Sequence, residues 1–208
     1  HFGFYLGMNQ NDFKIDLNKT DFKNVRIEST PAFGFNVGLI ADLRLHKNLS
    51  LRFEPGLVSN TKSLLFTNGG FDAIEDIAAM NPIEDIREVN ATYLHFPVLL
   101  KFNTDRLGNY RPFLIGGVSY DYNLSSNEDN QSDNFSNEFR TTSNNFMYEV
   151  GLGMDFYFPY FKFSPSIRGI FAMNNELKYD NEANGLSPWT APVHYLGTRG
   201  VFVTLAFE

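Results

Sequence analysis

The sequence predicts an all-β fold: an eight-stranded antiparallel transmembrane β-barrel with a filled polar lumen, occupying residues 1–208 as a single domain. Three observations predict it. Apolar residues recur at every second position along repeated stretches of about ten residues. The 208 residues include 22 Phe and 10 Tyr, more than an ordinary core of this size holds easily. Short and long polar connections alternate between the stretches, as in barrels with short turns at one end and long loops at the other.

The alternation is clearest in "ATYLHFPVLLKF", residues 91–102. One face carries five apolar side chains, from Leu94 to Phe102, and the opposite face carries His95, Pro97 and Lys101. The same period predicts eight strands, at residues 1–9, 32–45, 49–58, 91–102, 111–124, 146–158, 161–173 and 200–208. Each is long enough to cross the hydrocarbon layer of a membrane when it is tilted.

The connections follow the same order. Those at residues 46–48, 103–109 and 159–160 are short. Those at residues 10–30, 67–90, 124–144 and 174–199 are long and polar. We therefore expect short periplasmic turns and long extracellular loops.

The polar face of each strand is expected to point inward. The lumen of an eight-stranded barrel is just wide enough for side chains to fill, so rows of Phe and Leu fit a lipid-facing wall better. Phe96 is then expected to face lipid. The inward charges under this register are Asp42, Arg44, Arg52, Glu54, Lys101, Arg111, Asp121, Glu149, Asp155, Lys162 and Arg168. Because an unpaired buried charge is costly, this nearly neutral set predicts a salt-bridged plug. The alternative is a narrow conducting pore.

Composition limits the partners. A net charge of −7 argues against nucleic acid, and the absence of Cys excludes a disulfide scaffold and thiol chemistry. No signal peptide is visible, because the chain opens directly on a predicted strand. We expect a protein of the outer membrane of a Gram-negative bacterium, with the lipid bilayer as partner and with no cofactor, nucleic acid or small-molecule substrate.

Two chemical alternatives are present in the sequence. His95, Ser119 and Asp121 lie on neighbouring strands and point inward, so they supply the residue types of a Ser-His-Asp relay. The simpler interpretation is a lumen histidine satisfied by neighbouring charges. "NEDNQSDN", residues 127–134, offers oxygen ligands of the kind that calcium prefers but lacks the order of a dedicated calcium loop. We therefore predict no catalytic residue and no metal site.

Two loop segments are candidate contacts for a protein partner. Phe71, Ile74 and Ile77 fall at helical spacing and form one face of a short amphipathic helix, which could also simply pack on the barrel rim. Trp189 and Tyr195 lie in the last loop, where exposed aromatic residues suit either a protein interface or a membrane-interface girdle.

Residues 93–123, "YLHFPVLLKFNTDRLGNYRPFLIGGVSYDYN", carry a family resemblance. The strand with "FP-x-LLKF", the short polar turn and "RP-F-x-I-GG" resemble the PorT (SprT) group of Bacteroidota outer-membrane proteins, within a broader family of outer membrane β-barrel domains. The matching residues are Phe96, Pro97, Lys101, Arg111, Pro112, Gly116, Gly117 and Tyr120.

The resemblance implies a secretion pathway but no catalytic reaction. It implies a role in the type IX secretion system, which exports proteins with C-terminal signals and supports gliding motility in some members. It supplies no catalytic motif. The expected function is therefore a non-enzymatic scaffold or assembly subunit that docks onto other outer-membrane secretion proteins. A small pore or ligand-binding barrel, and a membrane-embedded acyl-transfer enzyme that uses His95 and Ser119, are the alternatives.

Overall fold

The computed structural model describes residues 1–17, 25–30, 32–68, 85–125, 142–176 and 193–208. Within them the chain forms ten strands: β1 (Phe2–Leu17), β2 (Val25–Thr30), β3 (Ala32–His46), β4 (Leu49–Phe53), β5 (Gly56–Asn68), β6 (Asp85–Asn103), β7 (Tyr110–Asn123), β8 (Asn144–Tyr157), β9 (Lys162–Ala172) and β10 (Val193–Phe207). No helix in these ranges is long and apolar enough to cross a membrane.

The ten strands form one antiparallel sheet that closes on itself. β1 pairs with β10 on one side and with β3 on the other. From β10 the sheet continues through β9, β8 and β7 to β6, which pairs with both β4 and β5. These two strands pair in turn with β3. A closed sheet leaves no open edge, and that is what lets strands lie in hydrocarbon, because every backbone polar group there must bond to a neighbour.

The ten segments correct the expectation of eight uninterrupted strands. β4 and β5 are separated by Glu54 and Pro55 but keep one register against β6. Pro55 has no N–H group to donate to the ladder, which explains an interruption at this point. β2 and β3 are separated by one position, and both pair with β5. Counted around the ring, the segments therefore occupy eight positions.

Side-chain exposure confirms that the barrel has an apolar exterior. On β6, His95, Leu99 and Lys101 are at most 1% exposed, whereas Val98 is 47% and Phe102 is 53% exposed. The same alternation appears on β7 and β8. Large apolar side chains thus cover the outside, where they contact lipid, and the polar face is turned inward as the sequence predicts.

The strands extend further into the predicted long loops than the hydrophobic pattern indicates. β1 continues to Leu17, β5 continues to Asn68, and β6 begins at Asp85. The physical reason is that backbone pairing needs no apolar side chain. The pattern marks only the part of each strand that faces hydrocarbon, and the ladder continues beyond it in polar sequence.

The lumen is filled by apolar as well as polar side chains. Among the described residues, one apolar cluster joins buried side chains from five strands, namely Val58, Tyr93, Met147, Ile170 and Phe202. A second cluster contains Tyr5, whose hydroxyl donates a hydrogen bond to the backbone carbonyl of Glu54 at 3.3 Å. Gly38 and Gly56 lie against the Tyr5 ring, and a Cβ atom at either position would collide with it. These glycines therefore make room for a large lumen side chain.

An aromatic cluster covers the outer wall at the end that carries the short turns. The Phe207 ring stacks on Phe4 with centroids 5.3 Å apart and contacts Phe163 at 5.2 Å. Phe158 and Phe161 stack at 4.9 Å beside them. Aromatic girdles of this kind lie at the boundary between hydrocarbon and headgroups. The cluster therefore marks the periplasmic boundary of the membrane-spanning wall.

The lipid-facing register predicts the cost of a charge on the wall. Val98→Arg, at the centre of the apolar face of β6, should lower the free energy of unfolding by about 2–4 kcal/mol in lipid vesicles. Gln10→Arg also points outward, but from the polar margin of β1, and should cost at most about 1 kcal/mol. Urea titration of both variants in vesicles measures the two values, and equal costs would contradict the register.

Candidate functional site

The lumen contains a connected network of ion pairs, and Arg168 on β9 stands at its centre. The guanidinium of Arg168 donates a hydrogen bond to a Glu149 carboxylate oxygen at 3.1 Å and lies 2.9 Å from a carboxylate oxygen of Glu54. All three side chains are almost fully buried. Glu149 lies on the neighbouring strand β8, but Glu54 lies between β4 and β5, which do not pair with β9. The Arg168–Glu54 pair therefore crosses the lumen.

Arg52 on β4 extends the network towards the periplasmic end. Its Nε lies 2.6 Å from Glu54, and its Nη2 donates a hydrogen bond to the side chain of Glu208 at 2.7 Å. The second Glu208 oxygen lies 2.6 Å from the Lys162 ammonium. Sequence reasoning missed Glu208 as a network member. The alternation of β10 could have revealed it, because the even-numbered residues from 200 to 208 fall on the lumen face.

His95 joins the network through both ring nitrogens. Nδ1 lies 2.6 Å from Asp121, its cross-strand partner on β7, and Nε2 lies 3.1 Å from Glu149. Both nitrogens can donate to these carboxylates when the ring is an imidazolium. A Ser-His-Asp relay instead requires one ring nitrogen to accept the serine proton. The geometry therefore leaves Ser119 no free imidazole nitrogen to accept its proton, and it corresponds to a histidine held among charges.

Lys101 forms a second centre of the network. Its ammonium contacts both carboxylate oxygens of Asp155, at 2.7 and 2.8 Å, and Ser164 donates to the same carboxylate at 2.7 Å. The ammonium also lies 4.0 Å from the centroid of the Phe113 ring. Lys101 and Asp155 come from β6 and β8, which are separated by β7. The pair therefore reaches over the intervening strand and fills the space between them.

The remaining predicted lumen charges occupy different positions. Asp42 is buried and lies opposite Arg52 in the β3–β4 ladder. Arg44 is exposed, and its Nε donates to the carbonyl of His46 at 3.4 Å. Arg111 donates to the carbonyl oxygens of Thr104 at 2.6 Å and Lys47 at 2.8 Å.

The lumen assignment is therefore wrong for Arg44 and Arg111. Both have the correct strand parity, but they lie at the end of their strands where the lumen opens to solvent. There the Arg44 guanidinium bonds to the carbonyl of His46, the last residue of β3, and the Arg111 guanidinium bonds to carbonyls of the turns.

The family-motif residues lie on two adjacent strands. Phe96 and Pro97 are on β6, and Pro112, Gly116 and Gly117 are on β7. The ladder places Gly117 opposite Leu99, where a Cβ atom at Gly117 would collide with the β6 backbone. The motif therefore permits a close approach of these two strands.

Most candidate partner and metal positions fall outside the described residues. These are Phe71, Ile74, Ile77, Trp189 and the segment 127–134. Tyr195 lies on β10, and its hydroxyl donates to the carbonyl of Ala172 at 3.5 Å. In the part of the chain that the structure describes, no group of three His, Asp or Glu side chains is placed to hold a metal ion.

Together, the closed sheet, the apolar exterior and the ion-paired lumen define a membrane-spanning β-barrel of the outer-membrane class. The sequence matches the family described as outer membrane protein beta-barrel domain over residues 1–178. The chain belongs to that family, and it is a protein of the outer membrane whose wall contacts the lipid bilayer.

Two solved structures of outer-membrane proteins align with the chain. OprG from Pseudomonas aeruginosa aligns with a TM-score of 0.51 at 12% identity, covering 99% of this chain and 94% of OprG. Neisserial surface protein A aligns with a TM-score of 0.44 at 10% identity, covering 98% and 95% of the two chains. The likeness to OprG shows the barrel fold alone, and no curated protein sequence matches the chain.

The network predicts a large effect from removing its central cation. Arg168→Met leaves Glu54 and Glu149 with a buried negative charge and should lower the free energy of unfolding by about 3–5 kcal/mol. Adding Glu149→Gln should recover part of this loss, because it removes one of the stranded charges. Urea unfolding of the single and double variants in vesicles measures both effects.

The matched control is Lys47→Met. Lys47 lies 3.0 Å from Asp105, and both side chains are exposed to solvent. This substitution should cost less than about 1 kcal/mol. An Arg168→Met variant as stable as Lys47→Met would show that the lumen charges do not depend on one another.

Proposed function

We propose that the protein is a non-enzymatic outer-membrane scaffold, an assembly subunit of a protein-export machinery of the type IX secretion class. The observation that carries this proposal is the ion-paired lumen. The cations Arg52, Lys101 and Arg168 each contact a carboxylate inside the barrel. We infer that a lumen filled in this way offers no path for a solute.

Among the described lumen residues, the same network keeps His95 from serving as the base for a nucleophile. A nucleophile needs a base within hydrogen-bond reach, and both nitrogens of His95 face carboxylates. The protein then functions by binding through its outer surfaces, which are the wall and the loops. This supports a binding or assembly function over an acyl-transfer enzyme.

The secretion pathway is supported by the motif resemblance of residues 93–123 to the PorT group. In that proposal the barrel anchors a surface that docks onto a larger outer-membrane export barrel. The partner would recognise either the wall or the extracellular loops. A sealed lumen suits this role, because a scaffold must not make the membrane leak.

A planar-bilayer recording tests the sealed lumen. Wild-type protein should give no ion-conducting channel above the background of empty liposomes, because ion pairs cross the lumen. The control is Arg168→Met with Glu54→Gln, which removes the bridge across the lumen and should give a higher frequency of conducting events. Regular single-channel steps from the wild type would favour the pore alternative.

A mild-detergent pull-down tests the assembly role. Tagged protein from native membranes should recover a large export barrel and associated lipoproteins by mass spectrometry, whereas an equally tagged, unrelated eight-stranded barrel should not. If the protein is recovered alone under conditions that preserve other outer-membrane complexes, the scaffold proposal fails and the family membership describes the fold only.

A further inference from the structure

A groove on the outer wall lies near the extracellular end of β1, β8, β9 and β10. Its volume is about 390 Å³. Six of the residues that line it are Lys14, Tyr148, Phe171, Tyr195, Gly197 and Arg199. These six residues are not members of the ion pairs described for the lumen.

The groove exists because the wall has a step at this point. β9 ends at Ala172, whereas β1 and β10 remain paired beyond it, up to Leu17 and Val193. Gly197 lies opposite Lys14 in the β1–β10 ladder and contributes no side chain to the surface. The Tyr195 ring lies against Gly197, and its hydroxyl donates to the carbonyl of Ala172. The Tyr195 ring and the absence of a side chain at Gly197 thus shape a concave surface on an otherwise convex wall.

The lining combines cations with aromatic faces. Arg199 lies beside Phe171 in the β9–β10 ladder, and Phe171 stacks on Tyr148 with centroids 5.0 Å apart. The Lys14 ammonium lies 5.9 Å from the centroid of the Tyr195 ring. The guanidinium of Arg199 also contacts Asp12, with Nη2 2.8 Å from the carboxylate, and remains more than half exposed. Two cations therefore stand at the mouth, and the Asp12 carboxylate lies beside Arg199.

The groove lies where the apolar band of the wall ends. The outward residues of β1 are apolar from Phe2 to Met8 and become polar from Gln10 onwards. On β10 the outward residues change from apolar to charged between Val201, which is 46% exposed, and Arg199. The floor of the groove is therefore continuous with the lipid-facing surface, and its mouth lies at headgroup depth on the extracellular side.

We propose that this groove binds the phosphate-bearing headgroup of an anionic lipid of the outer leaflet. Lys14 and Arg199 would contact the phosphate, Tyr148 and Tyr195 would frame the headgroup, and the acyl chains would lie on the apolar band below. The positive charge of the groove and its depth in the membrane both favour an anionic lipid headgroup. Cations at headgroup depth attract anionic lipids, and interfacial aromatic rings suit a boundary that is half apolar and half wet.

The aromatic and apolar floor of the groove favours a lipid over a soluble anion as the occupant. A free phosphate would contact the two cations but would leave the aromatic and apolar surface below them without a partner. A lipid satisfies both parts of the groove at once, because its headgroup and its chains are covalently joined.

Native mass spectrometry of the detergent-purified protein tests the proposal. The probes are phosphatidylglycerol and phosphatidylcholine with identical acyl chains. The wild type should retain the anionic lipid at least about fivefold better than the zwitterionic one, which is the effect expected of one basic side chain near a charged headgroup. Lys14→Gln with Arg199→Gln should abolish this preference.

A matched control carries the same charge change at the opposite end of the barrel. Lys47→Gln with Arg106→Gln removes one lysine and one arginine from the periplasmic turns and should keep the preference. Equal losses from the two double variants would overturn the proposal and indicate non-specific attraction.

Two further experiments separate lipid binding from a structural role of Arg199 and from binding of soluble anions. Asp12→Asn removes the carboxylate that competes for Arg199 and should strengthen retention of phosphatidylglycerol. If Arg199 acted only through its pair with Asp12, Asp12→Asn would weaken retention as Arg199→Gln does, and the proposal would fail. Excess inorganic phosphate should not displace the lipid. Displacement would assign the groove to soluble anions and overturn the lipid occupant.

Discussion

A charge buried in a narrow barrel must meet an opposite charge, and this requirement governs the structure. Arg168 meets it by bonding to Glu149 beside it and pairing with Glu54 across the lumen. Arg52 meets it through Glu54 and Glu208. Because the Arg168–Glu54 and Arg52–Glu208 pairs join strands that do not pair with one another, these two links can form only when the sheet is closed and in register. Ring closure and charge pairing therefore stabilise each other.

The same requirement explains why the barrel has its apolar face outside. The lumen of an eight-position ring has room for long side chains only where neighbours are small, and Gly38 and Gly56 supply that room for Tyr5. Most of the described phenylalanines are left on the exterior, where hydrocarbon is the favourable solvent. A groove with cations at its mouth interrupts this exterior on the extracellular side.

Period-two alternation was sufficient to predict the fold class, the lipid-facing side and most of the lumen charges. It reports which face a residue occupies but carries no information on depth. Arg44 and Arg111 share the parity of Arg52 and Lys101, yet they lie at the rim, where they bond to turn carbonyls. The pairing of His95 with Glu149 was also beyond prediction, since contact between non-adjacent strands depends on barrel width and shear. Strand ends were misjudged because the backbone ladder continues where apolar side chains stop.

Each membrane-spanning strand with described side chains has one face towards lipid and the other towards a filled lumen. The chain contains no cysteine, so single cysteines along β6 can each carry a spin label in an otherwise wild-type protein. Power-saturation measurements in bilayers should show oxygen access at positions 96, 98 and 100. Labels at positions 97 and 99 should be shielded both from oxygen and from a water-soluble nickel complex. Access of the nickel complex to the inward positions, or the reverse alternation, would contradict the claim.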